Sequence, residues 1–161
     1  MKYPVIFILI LVLFGCAGSQ IESQKTNLLT EERILAASNW IDEYTIKRDF
    51  EKASKYYFDG TQFFQYQKYN GEEVVTSQLF SEAKQTLQIT FKMKGLKIVE
   101  SEVIDQDVKL HENNEGTVFK VFKRLTAYKG IAMKSTDSIG RVFGIKNGRL
   151  VVLQEHMKSK L

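Results

Sequence analysis

From Gly95 to its end the chain is written in a period of two. Successive side chains leave a β-strand on opposite faces, so such alternation predicts strands. Between Thr117 and Tyr128, for example, Phe119, Val121 and Leu125 fall on one face and Lys120, Phe122 and Arg124 on the other. Turn residues punctuate the run at His111–Gly116, Lys129-Gly130 and Asn147-Gly148, the last being the tightest hairpin signal in the chain. The expected pieces are a long, bulged strand from Ile98 to Leu110, then Thr117–Tyr128, Ile131–Ile145 and Arg149–Met157, joined as an antiparallel meander.

A sheet of that size needs an apolar cover, and the first half of the sequence supplies one. Thr30 is placed to cap a helix whose first turn carries Glu31 and Glu32, and Ile34, Ala37, Ile41 and Tyr44 recur at helical spacing with Trp40 beside them. Asp49 can cap a second, short helix with Phe50, Ala53 and Tyr57 on its stripe, stopped by Asp59-Gly60. Phe63–Tyr69 alternates and precedes the Asn70-Gly71 hairpin signal, after which Val74 and Val75 continue a short strand. Thr76 or Ser77 then caps a third helix with Leu79, Phe80, Ala83 and Leu87 on its apolar face. Helices grouped ahead of consecutive strands predict an α+β fold, with three helices of the N-terminal half packed on one face of a curved antiparallel sheet. Such a sheet makes a cone with room for a small ligand at its mouth.

Ahead of the fold, Lys2 precedes an apolar run of ten residues, Val5–Phe14. That is half of what a membrane-spanning helix needs, about 20 residues, and it suits the apolar core of a signal peptide. Leu13-Phe14-Gly15-Cys16 closes it with the only cysteine in the chain. The stretch resembles the lipobox of bacterial lipoproteins, in which Leu13, Phe14 and Gly15 lead into the acylated Cys16. The resemblance implies thioether lipidation of Cys16, cleavage before it and acylation of the new amine, with fatty chains such as palmitate holding the protein on a bilayer. Ala17, where inner-membrane lipoproteins tend to carry Asp, implies the outer membrane if the source is Gram-negative. The expected organisation is a signal peptide over residues 1–15, a lipidated cysteine with a polar tether over 16–29, and one domain over 30–161.

The segment from Trp40 to Asp59, with Lys47-Arg48-Asp49-Phe50-Glu51 and Tyr56-Tyr57-Phe58-Asp59, and the closing segment from Lys146-Asn147-Gly148-Arg149 to His156-Met157-Lys158-Ser159 carry a second likeness. The domain resembles the nuclear transport factor 2-like superfamily, in particular its SnoaL-like and ketosteroid-isomerase-like branch; Leu150 stands where many members have Trp. The resemblance implies the cone-shaped fold of that superfamily. Its isomerases use an aspartate base beside a tyrosine and a protonated carboxylic acid. With the chains aligned on Asp49 and Asp59, Ile41 takes the tyrosine's place and Gln65 the base's, and neither can do that work.

No other constellation announces chemistry. His111 sits in a polar turn, Asp105 and Asp107 alternate on one strand face, and no His, Cys and carboxylate cluster has ligand spacing. No catalytic set, metal or cofactor is therefore expected, and the reading leans away from an enzyme. Candidate pocket residues are Tyr57, Asp59, Gln65, Gln154 and His156, with His156 placed by simple alternation on the face of Leu150, Val152 and Gln154. Charge is uneven: from Gly116 onward ten Lys or Arg stand against Asp137 and Glu155, while Cys16–Glu115 carries a surplus of acids. Solvated strand faces account for this most simply, and an exported lipoprotein gives no reason to expect nucleic acid. Three functions stay open: a non-catalytic binding module for a small apolar ligand or an envelope partner; an isomerase- or hydrolase-type enzyme using His156, Asp59 and Tyr57; and a structural or assembly role in the cell envelope.

Overall fold

The computed structural model describes residues 28–160. The lipobox Leu13–Cys16 and most of the tether lie outside the described residues. Helix α1 spans Glu31–Ile46, the one-turn helix α2 spans Phe50–Ala53 and runs into a 3-10 turn at Ser54–Tyr56, and α3 spans Phe80–Lys92. The strands are β1 Gln62–Tyr69, β2 Glu72–Leu79, β3 Leu96–Leu110, β4 Glu115–Tyr128, β5 Ile131–Lys146 and β6 Arg149–Lys160. They form one six-stranded sheet in the order β2-β1-β6-β5-β4-β3. The fold is the α+β cone expected, with one pairing that alternation did not foresee: β1 runs parallel to β6, Phe63 opposite Glu155 and Gln65 opposite Met157.

Local chemistry sets the boundaries. The Thr30 side chain accepts from the Arg33 amide, and the Asp49 side chain accepts from the Lys52 amide. Asn70-Gly71, Lys129-Gly130 and Asn147-Gly148 each hold positive φ at both positions, which is the backbone a two-residue hairpin of the favoured twist requires. The cap expected of Thr76 or Ser77 is not there: β2 runs through both residues to Leu79, and α3 starts at Phe80. Glu82 in its first turn instead accepts from the Leu79 amide at 2.9 Å. Arg48, itself at positive φ, donates from Nη2 to the carbonyls of Thr90, Phe91 and Met93 and so secures the end of α3.

The core sits between α1 and the concave face of the sheet. Ile34, Ala37 and Ile41 pack against Val118, Phe143 and Val152, and Leu29, at the end of the expected tether, also lies against this cluster. Each of these six core residues is at most 1% exposed. Burying the isoleucine, valine and phenylalanine side chains among them contributes about 1.5–3 kcal/mol each. Beyond this cluster α3 packs against α2 and the β1–β2 hairpin, with Phe80 near Phe50 and Phe63.

Strand β6 does not alternate uniformly. Val142 pairs with Gln154 while the next residue, Phe143, pairs with Val152, so Leu153 is an inserted bulge residue. It exchanges the two faces for everything that follows. Val152 points into the core, and past the bulge Glu155 and Met157 point the same way, while Gln154 and His156 point to the convex side.

Candidate functional site

The wide end of the cone encloses a cavity of about 370 Å³. That lies within the usual range for small-molecule sites, about 300–1,000 Å³. Its walls are largely ring faces. The helices present Phe50, Ala53, Phe80, Ala83, Leu87 and Phe91, and the sheet presents Phe63, Ile139 and Met157, with Tyr57 between them. Tyr57 stands 5.5 Å from Phe80 and 5.3 Å from Phe63, ring centre to ring centre, and Phe91 meets Phe50 edge to face at 5.5 Å. Gln65, Thr76, Ser77 and Gln78 on the β1–β2 hairpin add a polar stretch.

Charged groups gather at the narrow side of this cavity, where Asp42, Arg141 and Glu155 line it. Glu155 Oε2 accepts from the Tyr57 hydroxyl at 2.6 Å and from Arg141 Nε at 2.5 Å. Arg141 Nη1 donates to Asp42 Oδ1 at 2.7 Å and to the Ser38 hydroxyl at 2.9 Å. Lys120 Nζ closes the chain, 2.6 Å from both Asp42 Oδ2 and Asn39 Oδ1. Arg124, a further cavity-lining residue, donates to Asp137 Oδ2 at 3.2 Å. Asp137 Oδ1 is the one side-chain polar atom among the described residues that is buried with no partner.

Burial and charge act in opposite directions here. Burial pushes the Tyr57 phenol well above its usual range, and the adjacent Glu155 charge pushes the same way. Burial works against the Arg141 charge, but Glu155, Tyr57 and Asp42 outweigh it and hold the guanidinium well above its ordinary value. Lys120 goes the other way: burial lowers its pKa and Asp42 only partly offsets this. The phenol therefore stays a hydrogen-bond donor and Arg141 a cation. In charge the network balances, Asp42 and Glu155 against Lys120 and Arg141, and Asp137 against Arg124.

Of the five expected pocket residues, Tyr57 and Gln65 line the cavity. Asp59, Gln154 and His156 do not. Asp59 lies exposed in the turn before β1, where its carbonyl accepts from the Ser81 amide. His156 and Gln154 are on the convex face because of the Leu153 bulge. There the imidazole stacks on Phe64 at 4.6 Å, meets the Tyr66 hydroxyl through Nδ1 at 3.0 Å and Gln154 through Nε2 at 3.2 Å. Burial lowers its pKa. An enzyme built on His156 and Asp59 thus has no shared site for them.

Sequence reasoning missed Asp42, Arg141, Glu155 and Arg124. A signal was present: Lys120 stands between Val118 and Phe122, and Arg141 between Ile139 and Phe143, at apolar positions of their strands. A cation there must find an acid indoors. These residues also change the meaning of the basic C-terminal half, since Lys120, Arg124 and Arg141 are turned into the cone and paired.

Comparison with known proteins agrees with the architecture. No protein-family model matches the sequence, and no curated protein matches it. Solved structures do. A nuclear transport factor 2-like protein from Cytophaga hutchinsonii aligns with a TM-score of 0.61 at 14% identity, over 83% of this chain and 100% of that one. A putative dehydratase of the same fold family from Streptomyces avermitilis gives 0.60 at 15% identity, over 81% and 96%. The beta subunit of benzoate 1,2-dioxygenase from Burkholderia mallei gives 0.64 at 6% identity, over 82% and 91%. At such identities the likeness establishes the nuclear transport factor 2-like fold and nothing about chemistry.

Proposed function

We propose that this chain is a lipid-anchored protein of a bacterial envelope whose cone binds a small, mostly apolar molecule without transforming it. The carrying observation is the cavity of about 370 Å³ walled by Phe50, Phe63, Phe80, Phe91 and Tyr57, with Asp42, Arg141 and Glu155 at one side and an uncharged polar stretch on the β1–β2 hairpin. Aromatic walls reward burial of a flat apolar body, and the few polar groups fix its orientation. The anchor rests on the lipobox pattern, and with Ala17 after Cys16 the outer membrane is the membrane proposed for a Gram-negative source. The full chain, purified in detergent from a lipoprotein-processing bacterium, tests both parts. Mass spectrometry should find a lipidated Cys16 and no residues 1–15; an unmodified thiol refutes the anchor. Calorimetric titration with aromatic and alicyclic compounds should give saturable one-to-one binding; its absence across the panel refutes the cavity's role.

One observation favours a second reading. Glu155 is a carboxylate facing an apolar cavity, beside a phenol, and that is the environment of a general base. On this reading the cavity hosts an isomerase- or hydrolase-type proton transfer. Turnover of any bound compound that Glu155→Gln abolishes without loss of binding would establish it over simple binding.

A further inference from the structure

Arg141 and Glu155 meet through one pair of atoms where an arginine and a carboxylate commonly meet through two. Arg141 Nε reaches Glu155 Oε2, and Nη1 is occupied by Asp42 and Ser38. Glu155 Oε2 also takes the Tyr57 hydroxyl. Among the described residues nothing hydrogen-bonds to Arg141 Nη2 or to Glu155 Oε1. Neither atom is sealed in the protein, since among the described residues Asp137 Oδ1 is the only side-chain polar atom buried without a partner. Both residues line the cavity. The site therefore offers one strong donor and one strong acceptor on two residues joined by a 2.5 Å contact.

Charge narrows the choice further. The surrounding acids and cations already balance in pairs. A ligand carboxylate would meet the guanidinium but also face Glu155, and a ligand ammonium would meet Glu155 but face Arg141. Either would bring an unbalanced charge between aromatic walls, which is costly. An uncharged group that carries an acceptor and a donor side by side satisfies both open atoms at once.

Resting on the binding reading above, we propose that the ligand carries an amide-type group, a carboxamide, lactam or imide, on a flat apolar body. Its carbonyl accepts from Arg141 Nη2, its N–H donates to Glu155 Oε1, and its body lies against Tyr57, Phe63 and Phe80.

Four compounds of nearly one shape separate the possibilities: naphthamide, acetylnaphthalene, naphthoate and methylnaphthalene. Each is titrated calorimetrically into the full chain in detergent. Naphthamide should bind about tenfold or more tightly than acetylnaphthalene, which lacks the donor, and than naphthoate, which carries the charge. In Glu155→Gln the oxygen of the new amide is needed by Tyr57 and Arg141, which leaves its NH₂ facing the ligand. The order should then invert, acetylnaphthalene overtaking naphthamide. Equal binding of the amide and the ketone, or tighter binding of naphthoate, overturns the amide assignment while leaving the cavity a binding site. Binding of none of the four, methylnaphthalene included, overturns that reading as well. The wild-type ranking decides the matter even if Glu155→Gln fails to fold.

Discussion

Lys120 and Asp42 lie 2.6 Å apart with both side chains almost fully enclosed, one on the middle of β4 and the other on α1. The pair joins the helix to the sheet, and Asp42 holds Arg141 through its other oxygen. Removing one partner of a buried pair strands the other charge, so Asp42→Ala should cost about 3–5 kcal/mol. Lys120→Met should cost less, about 0–2 kcal/mol, because Asp42 keeps Arg141 and the methionine fills the same space. The double variant should recover part of the loss of Asp42→Ala. Burial already lowers the lysine's pKa, and Asp42 is what raises it. In Asp42→Ala the folded state therefore releases that proton at lower pH than the unfolded chain does. Stability should climb as pH rises toward the ordinary lysine value of 10.5. Urea unfolding of the four proteins over that range checks each statement; a double variant at the sum of the singles would show that the two residues are not coupled.

Tyr57 makes an opposite prediction on the alkaline side. Its folded pKa is raised well above 10 by burial and by Glu155. Its contribution is therefore fully present below the unfolded value of 10.0 and is lost above it, as the unfolded chain ionises and the folded one does not. Stability of the wild type should fall with pH in that window, and Tyr57→Phe should flatten the fall. In a spectroscopic titration of the folded protein, Tyr57→Phe should leave the number of tyrosines that ionise before unfolding the same as in the wild type. Ionisation of every tyrosine in the folded state would contradict the buried phenol.

The same two residues show what could be read from the sequence and what could not. Caps at Thr30 and Asp49 and the three two-residue turns are local chemistry, so the elements and their order were legible; Tyr57 was legible as a pocket residue, although the helix expected to carry it ends at Ala53 and Tyr57 itself is extended. The side of the sheet on which His156 falls depends on one inserted residue, Leu153, in a pairing with β5 that a single strand does not display. Counting by twos from Leu150 leads to His156, and the folded strand leads to Glu155. The parallel neighbour β1 was hidden for a like reason, since its partner lies about 90 residues away, Phe63 opposite Glu155. The polar cluster escaped because Lys120 and Arg141 are charged residues in apolar positions, and their acid, Asp42, sits on a different element.

The bulge can be tested directly. Deleting Leu153 removes the bulge and leaves Val152, Glu155 and Met157 at alternate positions of a regular strand, all still turned into the cone. Arg141 and Tyr57 would then keep their shared acceptor, and His156 would stay on the convex side. The deletion should therefore leave the number of tyrosines that ionise before unfolding as it is in the wild type, because the Tyr57 phenol keeps its buried partner. One more tyrosine ionising in the deletion variant would mean that β6 had exchanged its faces past Val152.

Filling the cavity separates binding from folding. Ala83 is 2% exposed on α3 and lines the cavity, so a larger side chain there has an empty space to enter. In a packed core an extra ring would cost about 1–3 kcal/mol. Ala83→Phe should stay well below that range, because its ring finds Phe80, Phe63 and Leu87 as neighbours across existing space. Binding of methylnaphthalene should fall by about tenfold or more, because the ligand and the new ring compete for one volume. Binding is read by calorimetry and stability by urea unfolding, on the same preparation. A variant that unfolds easily would show that the space beside Ala83 closes in solution. A stable variant that still binds methylnaphthalene normally would place the ligand elsewhere on the protein.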